Sequence, residues 1–175
     1  PLRFNKEKLT NLKPAFDKTG TITAGNASSL SDGAAAVLIS SEDKVNEKQL
    51  TAIAKIKGHV SFAMDPIYFT KAPIYAIRKL LDKTNLTVDD IDLYEINEAF
   101  SCVPMVAMEE LKLPHEKVNI HGGAVSMGHP IGASGTRIVV TLLNALKMKN
   151  LKYGVASLCI GGGEASAILL EMCNK

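Results

Sequence analysis

The sequence has no disulfide framework, no strong surplus of charge of one sign and no long apolar run. Its three cysteines, Cys102, Cys159 and Cys173, are an odd number at scattered positions, which fits a reducing compartment. The formal net charge is only +2 and the basic residues are spread along the chain, which argues against nucleic acid as a partner. No apolar stretch approaches the roughly 18 residues that cross a bilayer, so we expect no membrane partner.

An initiator methionine and a targeting pattern are also lacking. The chain opens Pro1-Leu2-Arg3-Phe4, which suggests a processed product, a cloned domain or a fragment. Hydrophobic residues make up 46% and charged residues 22% of the 175 positions, as is typical of a globular protein that buries one ordinary core.

The apolar periodicity predicts an α/β domain. Residues 1–28 are expected to be loop-rich and extended, 33–36 to belong to a short helix, 37–39 to form a buried strand, and 42–50 to be a polar linker. The remaining predicted elements are strands at 52–60, 91–96, 118–120, 153–159 and 165–172, and helices at 73–81, 99–111 and 135–147. Their order, βαβαβαββ, predicts a mixed five-stranded sheet with helices on both faces and a final antiparallel strand.

Three segments carry residues suited to chemistry, and each is predicted at the C-terminal end of a strand, where open α/β sheets place their sites. The first is Asn97-Glu98-Ala99-Phe100. Asn97 either caps the helix that follows, the commoner role of such an asparagine, or holds a water or substrate oxygen with its amide.

The second segment is a loop with five glycines in the fourteen residues 122–135. His129 lies between Gly128 and Pro130 just before a predicted helix, which makes it a candidate for acid/base or oxyanion work. His121 has the weaker case and is expected to be structural. The loop lacks the P-loop pattern and the spacing of metal ligands, so no metal site is predicted.

The third segment joins Cys159, at the end of a predicted buried strand, to the glycines 161–163. Most cysteines in such places are small buried hydrophobes. Here the glycines free backbone N–H groups to face an oxyanion and let a ligand approach the sulfur. Cys102 and Cys173 lack such surroundings and are expected to be inert.

Together the three segments closely resemble the C-terminal signature regions of thiolases, in the same order and at the expected separations. Lys13-Pro14-Ala15-Phe16 and the run 23–28 also look like thiolase sequence, so the resemblance covers nearly the whole chain. It implies the C-terminal half of a duplicated thiolase-like fold. Residues 1–28 would end the CoA-binding loop domain, 29–47 would be the last helix and strand of the N-terminal domain, and 48–175 would form the C-terminal domain.

The resemblance also implies an activity, which is acyl transfer to and from CoA, either condensing two acetyl-CoA to acetoacetyl-CoA or cleaving the product. His129 would activate a nucleophilic cysteine that family members carry in their N-terminal half, and would form one oxyanion hole with a water held by Asn97. Cys159 would move a proton at the substrate α-carbon, aided by a lowered thiol pKa. The Gly161 N–H would donate to a second oxyanion hole.

By the same resemblance, Phe16 and Ser28 would line the pantetheine tunnel, and Phe69 and Phe100 the acyl pocket. CoA would be a substrate or product, with no permanently bound cofactor. The full-length protein would be a homodimer or homotetramer, in mitochondria or the cytosol. Phe69 followed by Ala72-Pro73 favours short acyl chains. None of the three cysteines matches the nucleophile motif, so the chain alone is expected to have no turnover.

Three alternatives remain open. One is a 3-ketoacyl-CoA thiolase of fatty-acid β-oxidation, and another is an inactive truncated product that keeps a dimerisation surface. The third is an unrelated hydrolase that uses Cys159 and His129. It is disfavoured because a hydrolase nucleophile normally follows a strand and opens a helix, whereas Cys159 leads into glycines and another strand.

Overall fold

The structure is a computed structural model that describes residues 4–173. Its strands are β1 (Ala54–Ala63), β2 (Leu93–Ile96), β3 (Tyr153–Ile160) and β4 (Glu164–Met172). Its α-helices are α1 (Lys6–Thr10), α2 (Glu42–Glu47), α3 (Ala72–Thr84), α4 (Cys102–Leu111), α5 (Ala124–Met127) and α6 (Ser134–Lys149). Short 3-10 segments occupy Pro66–Lys71 and His115–Lys117.

The strands form one mixed sheet in the order β1-β4-β3-β2. Strands β1 and β3 both pair antiparallel with β4, and β2 pairs parallel with β3. The parallel pair sets the ends of β2 and β3 at the same edge, because Ile96 lies opposite Ser157. Asn97 follows β2 at that edge, and Cys159 lies near the end of β3. The parallel pairing of β2 and β3 therefore brings two of the three predicted segments together.

Helices cover both faces of the sheet, as predicted. On one face α3 and α4 bury Ile77, Leu80 and Val103 at less than 1% exposure. On the other face α6 buries Ile138 and Leu142, which are four residues apart and therefore lie on one side of the helix. None of the helices within residues 4–173 is long and apolar enough to span a bilayer.

The prediction of a fifth strand at 118–120 is wrong. Val118 makes a single parallel bridge to Tyr94, and the backbone then turns away because Asn119 has a φ of +48°. The Asn119 side chain makes the hydrogen bonds that a pairing strand would otherwise make. Asn119 Oδ1 accepts from the Ile96 N–H at 2.8 Å, and Asn119 Nδ2 donates to the Ile96 carbonyl at 2.8 Å.

The N-terminal predictions also need correction. Residues 31–40 form neither the predicted helix nor the buried strand, and Leu38 is 92% exposed. No strand among residues 4–173 pairs with 37–39, so their apolar side chains have nothing to be buried against. The predicted linker instead contains α2, whose first turn is capped by Ser41 Oγ. Helix α1 likewise interrupts the segment expected to be extended.

Candidate active site

Asn97 is buried at the end of β2, with 1% of its surface exposed. Its N–H donates to the Ser157 carbonyl of β3 at 3.0 Å. The side chain does not cap α4, which begins after Ser101 with no side-chain cap. Its Nδ2 instead lies 3.4 Å from His129 Nε2. The structure thus brings together residues from the first two predicted segments.

The His129 ring is held from both sides of the glycine-rich loop. Gly128 has a φ of +96°, which favours glycine, and the His129 N–H donates to the Ser29 carbonyl at 2.8 Å. His129 Nδ1 lies 2.6 Å from the hydroxyl of buried Ser134, which in turn donates to the Pro130 carbonyl at 3.1 Å. Because the Ser134 hydroxyl donates its proton to the Pro130 carbonyl, the Ser134 oxygen accepts a hydrogen bond from His129 Nδ1–H. His129 Nε2 is left with a free lone pair facing Asn97.

Burial, and secondarily the positive charge of Arg137, lower the pKa of His129 below its ordinary value of 6.5. The imidazole is therefore neutral near pH 7. A neutral ring that presents an unprotonated Nε2 is the form required of a general base. The local geometry and the surrounding charge favour the same protonation state.

Cys159 lies in β3 opposite Ala165 of β4, two residues beyond the Ser157 carbonyl that bonds Asn97. The side chain is buried in the core cluster on the α3 and α4 face. Burial raises the pKa of this thiol to about 11. The expected lowering of its pKa is therefore wrong, because desolvation of the thiolate outweighs the adjacent glycine turn. At neutral pH Cys159 is a protonated thiol that is able to donate a proton.

Glycines 161–163 form the turn from β3 to β4, and they differ in whether a side chain would fit at each position. A Cβ on Gly163 would meet the Met64 carbonyl at 2.3 Å, and its φ is +94°. A Cβ on Gly161 would meet nothing within 4 Å. Gly161 is therefore exposed with room for a side chain, whereas Gly163 fixes the shape of the turn.

This difference gives a matched pair of substitutions. Gly163→Ala is expected to lower the free energy of unfolding by about 2–4 kcal/mol, from left-handed backbone strain plus a backbone clash. Gly161→Ala is expected to change it by less than about 0.5 kcal/mol. Urea unfolding of both variants measures the difference. Equal losses for the two alanines would contradict the account of the turn.

The aromatic residues assigned to the CoA and acyl sites meet at Phe100. Its ring makes edge contacts with Phe16, at 6.0 Å between centroids, and with Phe69, at 6.2 Å. Ser28 lies beside this row, because both its N–H and its hydroxyl donate to the Ala99 carbonyl at 3.0 Å. Phe16 is 76% exposed and lies at the solvent end. All four residues therefore adjoin the segment that starts with Asn97.

Sequence reasoning missed the charged residues behind the site. Glu95 is only 2% exposed, and its Oε2 lies 3.7 Å from Arg137 Nη1 of α6. Glu98 Oε2 accepts from the Val125 N–H at 3.0 Å and so ties the first segment to the second. The available signal was a glutamate inside the otherwise apolar run 93–96. Within residues 4–173, no three His, Cys, Asp or Glu side chains are grouped to hold a metal ion.

The fold and this site define an α/β protein that sets an amide beside an imidazole at the end of β2 and buries a thiol near the end of the neighbouring strand β3. The family described as "Thiolase, C-terminal domain" matches residues 50–172, and "Thiolase, N-terminal domain" matches residues 2–43. The chain belongs to the thiolase family.

Individual relatives agree with this assignment. Acetyl-CoA acetyltransferase 1 of Arabidopsis thaliana is 50% identical over 99% of this chain and 42% of its own length. The acetyl-CoA acetyltransferase of Yarrowia lipolytica is 52% identical over 100% of this chain and 44% of its own. The chain thus spans less than half the length of these relatives.

Solved structures give the same picture. The Bacillus anthracis acetyl-CoA acetyltransferase superposes with a TM-score of 0.96 at 46% identity, covering 99% of this chain and 44% of that one. The human mitochondrial 3-ketoacyl-CoA thiolase in complex with CoA superposes with a TM-score of 0.92 at 39% identity, over 99% and 44% of the two chains. Both likenesses extend over the site described above.

Proposed function

We propose that this chain is the C-terminal part of an acetyl-CoA acetyltransferase, which condenses two acetyl-CoA to acetoacetyl-CoA or cleaves acetoacetyl-CoA with CoA. The observation that carries the proposal is the Asn97–His129 contact of 3.4 Å beside the end of β3, with Nδ1 of the same ring 2.6 Å from the Ser134 hydroxyl. Relatives of 50% and 52% identity named acetyl-CoA acetyltransferase support it.

The proposed chemistry follows from the state of each group. Neutral His129 takes the proton of a nucleophilic cysteine contributed by the N-terminal half, and that cysteine accepts the acyl group. The Asn97 amide, acting through a water, and the His129 ring then face the thioester oxygen as its negative charge develops. Gly161 supplies a backbone N–H to a second developing oxyanion.

Cys159 carries the proton to or from the α-carbon. In cleavage the acetyl-CoA enolate leaves and takes the proton of the Cys159 thiol, which is the form that burial favours. In condensation the CoA thiolate released by acyl transfer takes the Cys159 proton, and the resulting Cys159 thiolate removes a proton from the α-carbon of the second acetyl-CoA. Because its pKa is about 11, the thiolate is a strong base once formed.

The same proposal assigns the surrounding parts. Phe16 and Ser28 contact the pantetheine arm of CoA, and Phe69 and Phe100 the acyl chain. CoA is a substrate rather than a resident cofactor. The domain division at residues 28 and 47 and a homodimeric or homotetrameric assembly belong to the full-length protein.

A second candidate is a 3-ketoacyl-CoA thiolase of longer substrates, favoured by the 39% identity to the human mitochondrial enzyme. The test uses the longest natural chain that contains residues 1–175, supplied with CoA and either acetoacetyl-CoA or 3-ketodecanoyl-CoA. We expect faster cleavage of acetoacetyl-CoA, and the reverse order supports the second candidate. Ester hydrolysis that needs no CoA would overturn both and favour a Cys/His hydrolase. The 175-residue chain alone is expected to show no turnover.

A further inference from the structure

A buried glutamate and a largely buried arginine lie directly behind Asn97. Glu95, two residues earlier on β2, is 2% exposed, and Arg137 reaches it from the first turns of α6 at 3.7 Å. Glu95 Oε1 and Arg137 Nη1 both lack a hydrogen-bond partner among residues 4–173, so the two side chains attract each other as charges without a hydrogen bond. Burying a charged pair with an unsatisfied oxygen costs stability, and such a pair is poor evidence for a stabilising role.

Arg137 also faces the candidate site. Its Nη2 lies 3.5 Å from Asn97 Oδ1, at the long end of hydrogen-bond distances. A carboxamide has two orientations of nearly equal shape, which differ in whether oxygen or nitrogen points a given way. Arginine only donates, so the side facing Arg137 must be the oxygen.

The orientation of the Asn97 amide decides whether its nitrogen or its oxygen faces His129 Nε2. With Oδ1 turned to Arg137, the amide nitrogen points at His129 Nε2, 3.4 Å away. A flipped amide would aim an oxygen at an unprotonated nitrogen and would offer no donor to a substrate or water. A donor is what stabilises a developing oxyanion.

We propose that Arg137, held in place by Glu95, is a positioning residue that selects the orientation of the Asn97 amide. Glu95 holds the Arg137 guanidinium by charge attraction, and the guanidinium holds Oδ1 of Asn97. The amide nitrogen of Asn97, which is a hydrogen-bond donor, is thereby placed beside His129. This inference rests on the proposed function only in assigning a use to that donor. The orientation of the Asn97 amide itself follows from the hydrogen-bond donors of Arg137 and the acceptor nitrogen of His129.

The charges involved are few. Arg137 is the charged group that lowers the pKa of His129, apart from burial. Glu95 and, beyond it, Glu98 are the carboxylates that face this cluster. Burial raises the pKa of Glu95 to about 7, while Arg137 acts in the opposite direction. Replacing Arg137 should therefore change the pKa of His129.

The first test measures the pKa of His129 in the longest natural chain, by hydrogen–deuterium exchange at histidine Cε1 read by peptide mass spectrometry. Arg137→Met is expected to raise that pKa because a cation is removed, whereas Glu95→Gln is expected to change it little, because a carboxyl with a pKa of about 7 is mostly protonated where His129 titrates. His59, His115 and His121 are internal references, and Arg78→Met, at an exposed arginine on α3, is the matched control. A folded Arg137→Met variant with an unchanged His129 pKa would overturn the proposal.

The second test is a double-mutant cycle in the thiolase assay. Arg137→Met alone is expected to lower kcat on the order of 10²-fold, with little change in KM, as misplacement of a catalytic group does. Added to Asn97→Ala, it is expected to lower kcat by less than about threefold, because a residue that acts through Asn97 has nothing left to position. Losses that multiply in full would overturn the proposal.

Failure to fold and failure of the proposed function are separable outcomes. Should Arg137→Met unfold, Arg137→Lys keeps the charge without the planar fork and is expected to show most of the kcat loss. Wild-type activity in Arg137→Lys would contradict the proposal. An enzyme without thiolase turnover would contradict the proposed function alone, since the His129 pKa measurement still decides the role of Arg137.

Discussion

Replacing His129 by asparagine is expected to lower kcat/KM for acetoacetyl-CoA cleavage by about 10²–10⁴-fold, the usual contribution of a positioned general base. Asparagine retains a polar side chain but cannot take up a proton near pH 7. The measurement is steady-state kinetics on the longest natural chain. His121→Asn is the matched control, because His121 lies eight residues away on the same loop and is exposed.

The dependence of wild-type kcat/KM on pH tests the same role of His129. His129 is active when neutral, so kcat/KM should be full above its pKa and fall as the pH drops through it. Because burial and Arg137 place that pKa below 6.5, activity should persist into mildly acidic solution. Retention of more than a tenth of the activity in His129→Asn would contradict the assigned role.

Replacing Cys159 by alanine is expected to abolish proton exchange at the α-carbon, with a fall in overall turnover of about 10²–10⁴-fold. Acyl transfer from acetyl-CoA to the separate nucleophile should survive, because no α-carbon proton moves in that step and it requires His129 and not Cys159. The measurements are incorporation of deuterium from solvent into acetyl-CoA and the burst of acylated enzyme.

The control for this variant is Cys102→Ala. Cys102 opens α4, is partly buried, and its thiol pKa is likewise raised chiefly by burial. It is expected to exchange α-protons at the wild-type rate. Alanine at 159 fits a site already lined by small residues such as Ala165, so the free energy of unfolding should change by about 1 kcal/mol. Undiminished deuterium exchange in Cys159→Ala would contradict its proposed role.

Much of the fold was predictable because its signals are local. The spacing of Ile74, Ile77 and Leu80 predicts α3, and that of Ile138 and Leu142 predicts α6. The glycines around His129 mark a tight loop before a helix. Local pattern failed at 118–120, where an asparagine side chain takes the place of strand pairing. It failed at 37–39 because strand formation depends on a partner strand.

The candidate site residues could be proposed from the sequence, but their electrostatic arrangement could not. Asn97, His129 and Cys159 follow from their positions after strands and beside glycines. The pKa of Cys159 depends on what α3 and α4 bury around it, which no local sequence pattern reports. The contact of Arg137 with Asn97 joins residues forty positions apart and exists only once α6 packs on the sheet.

The claim on which the account depends is that Asn97, His129 and Cys159 serve one thioester. Its most direct test is a crystal structure of the longest natural chain with acetoacetyl-CoA bound. We expect the thioester oxygen to lie about 2.7–3.1 Å from His129 Nε2 or from a water held by Asn97, with the α-carbon against the Cys159 sulfur. A thioester bound elsewhere, or a Cys159 sulfur facing a different cavity from the Asn97–His129 pair, would contradict it.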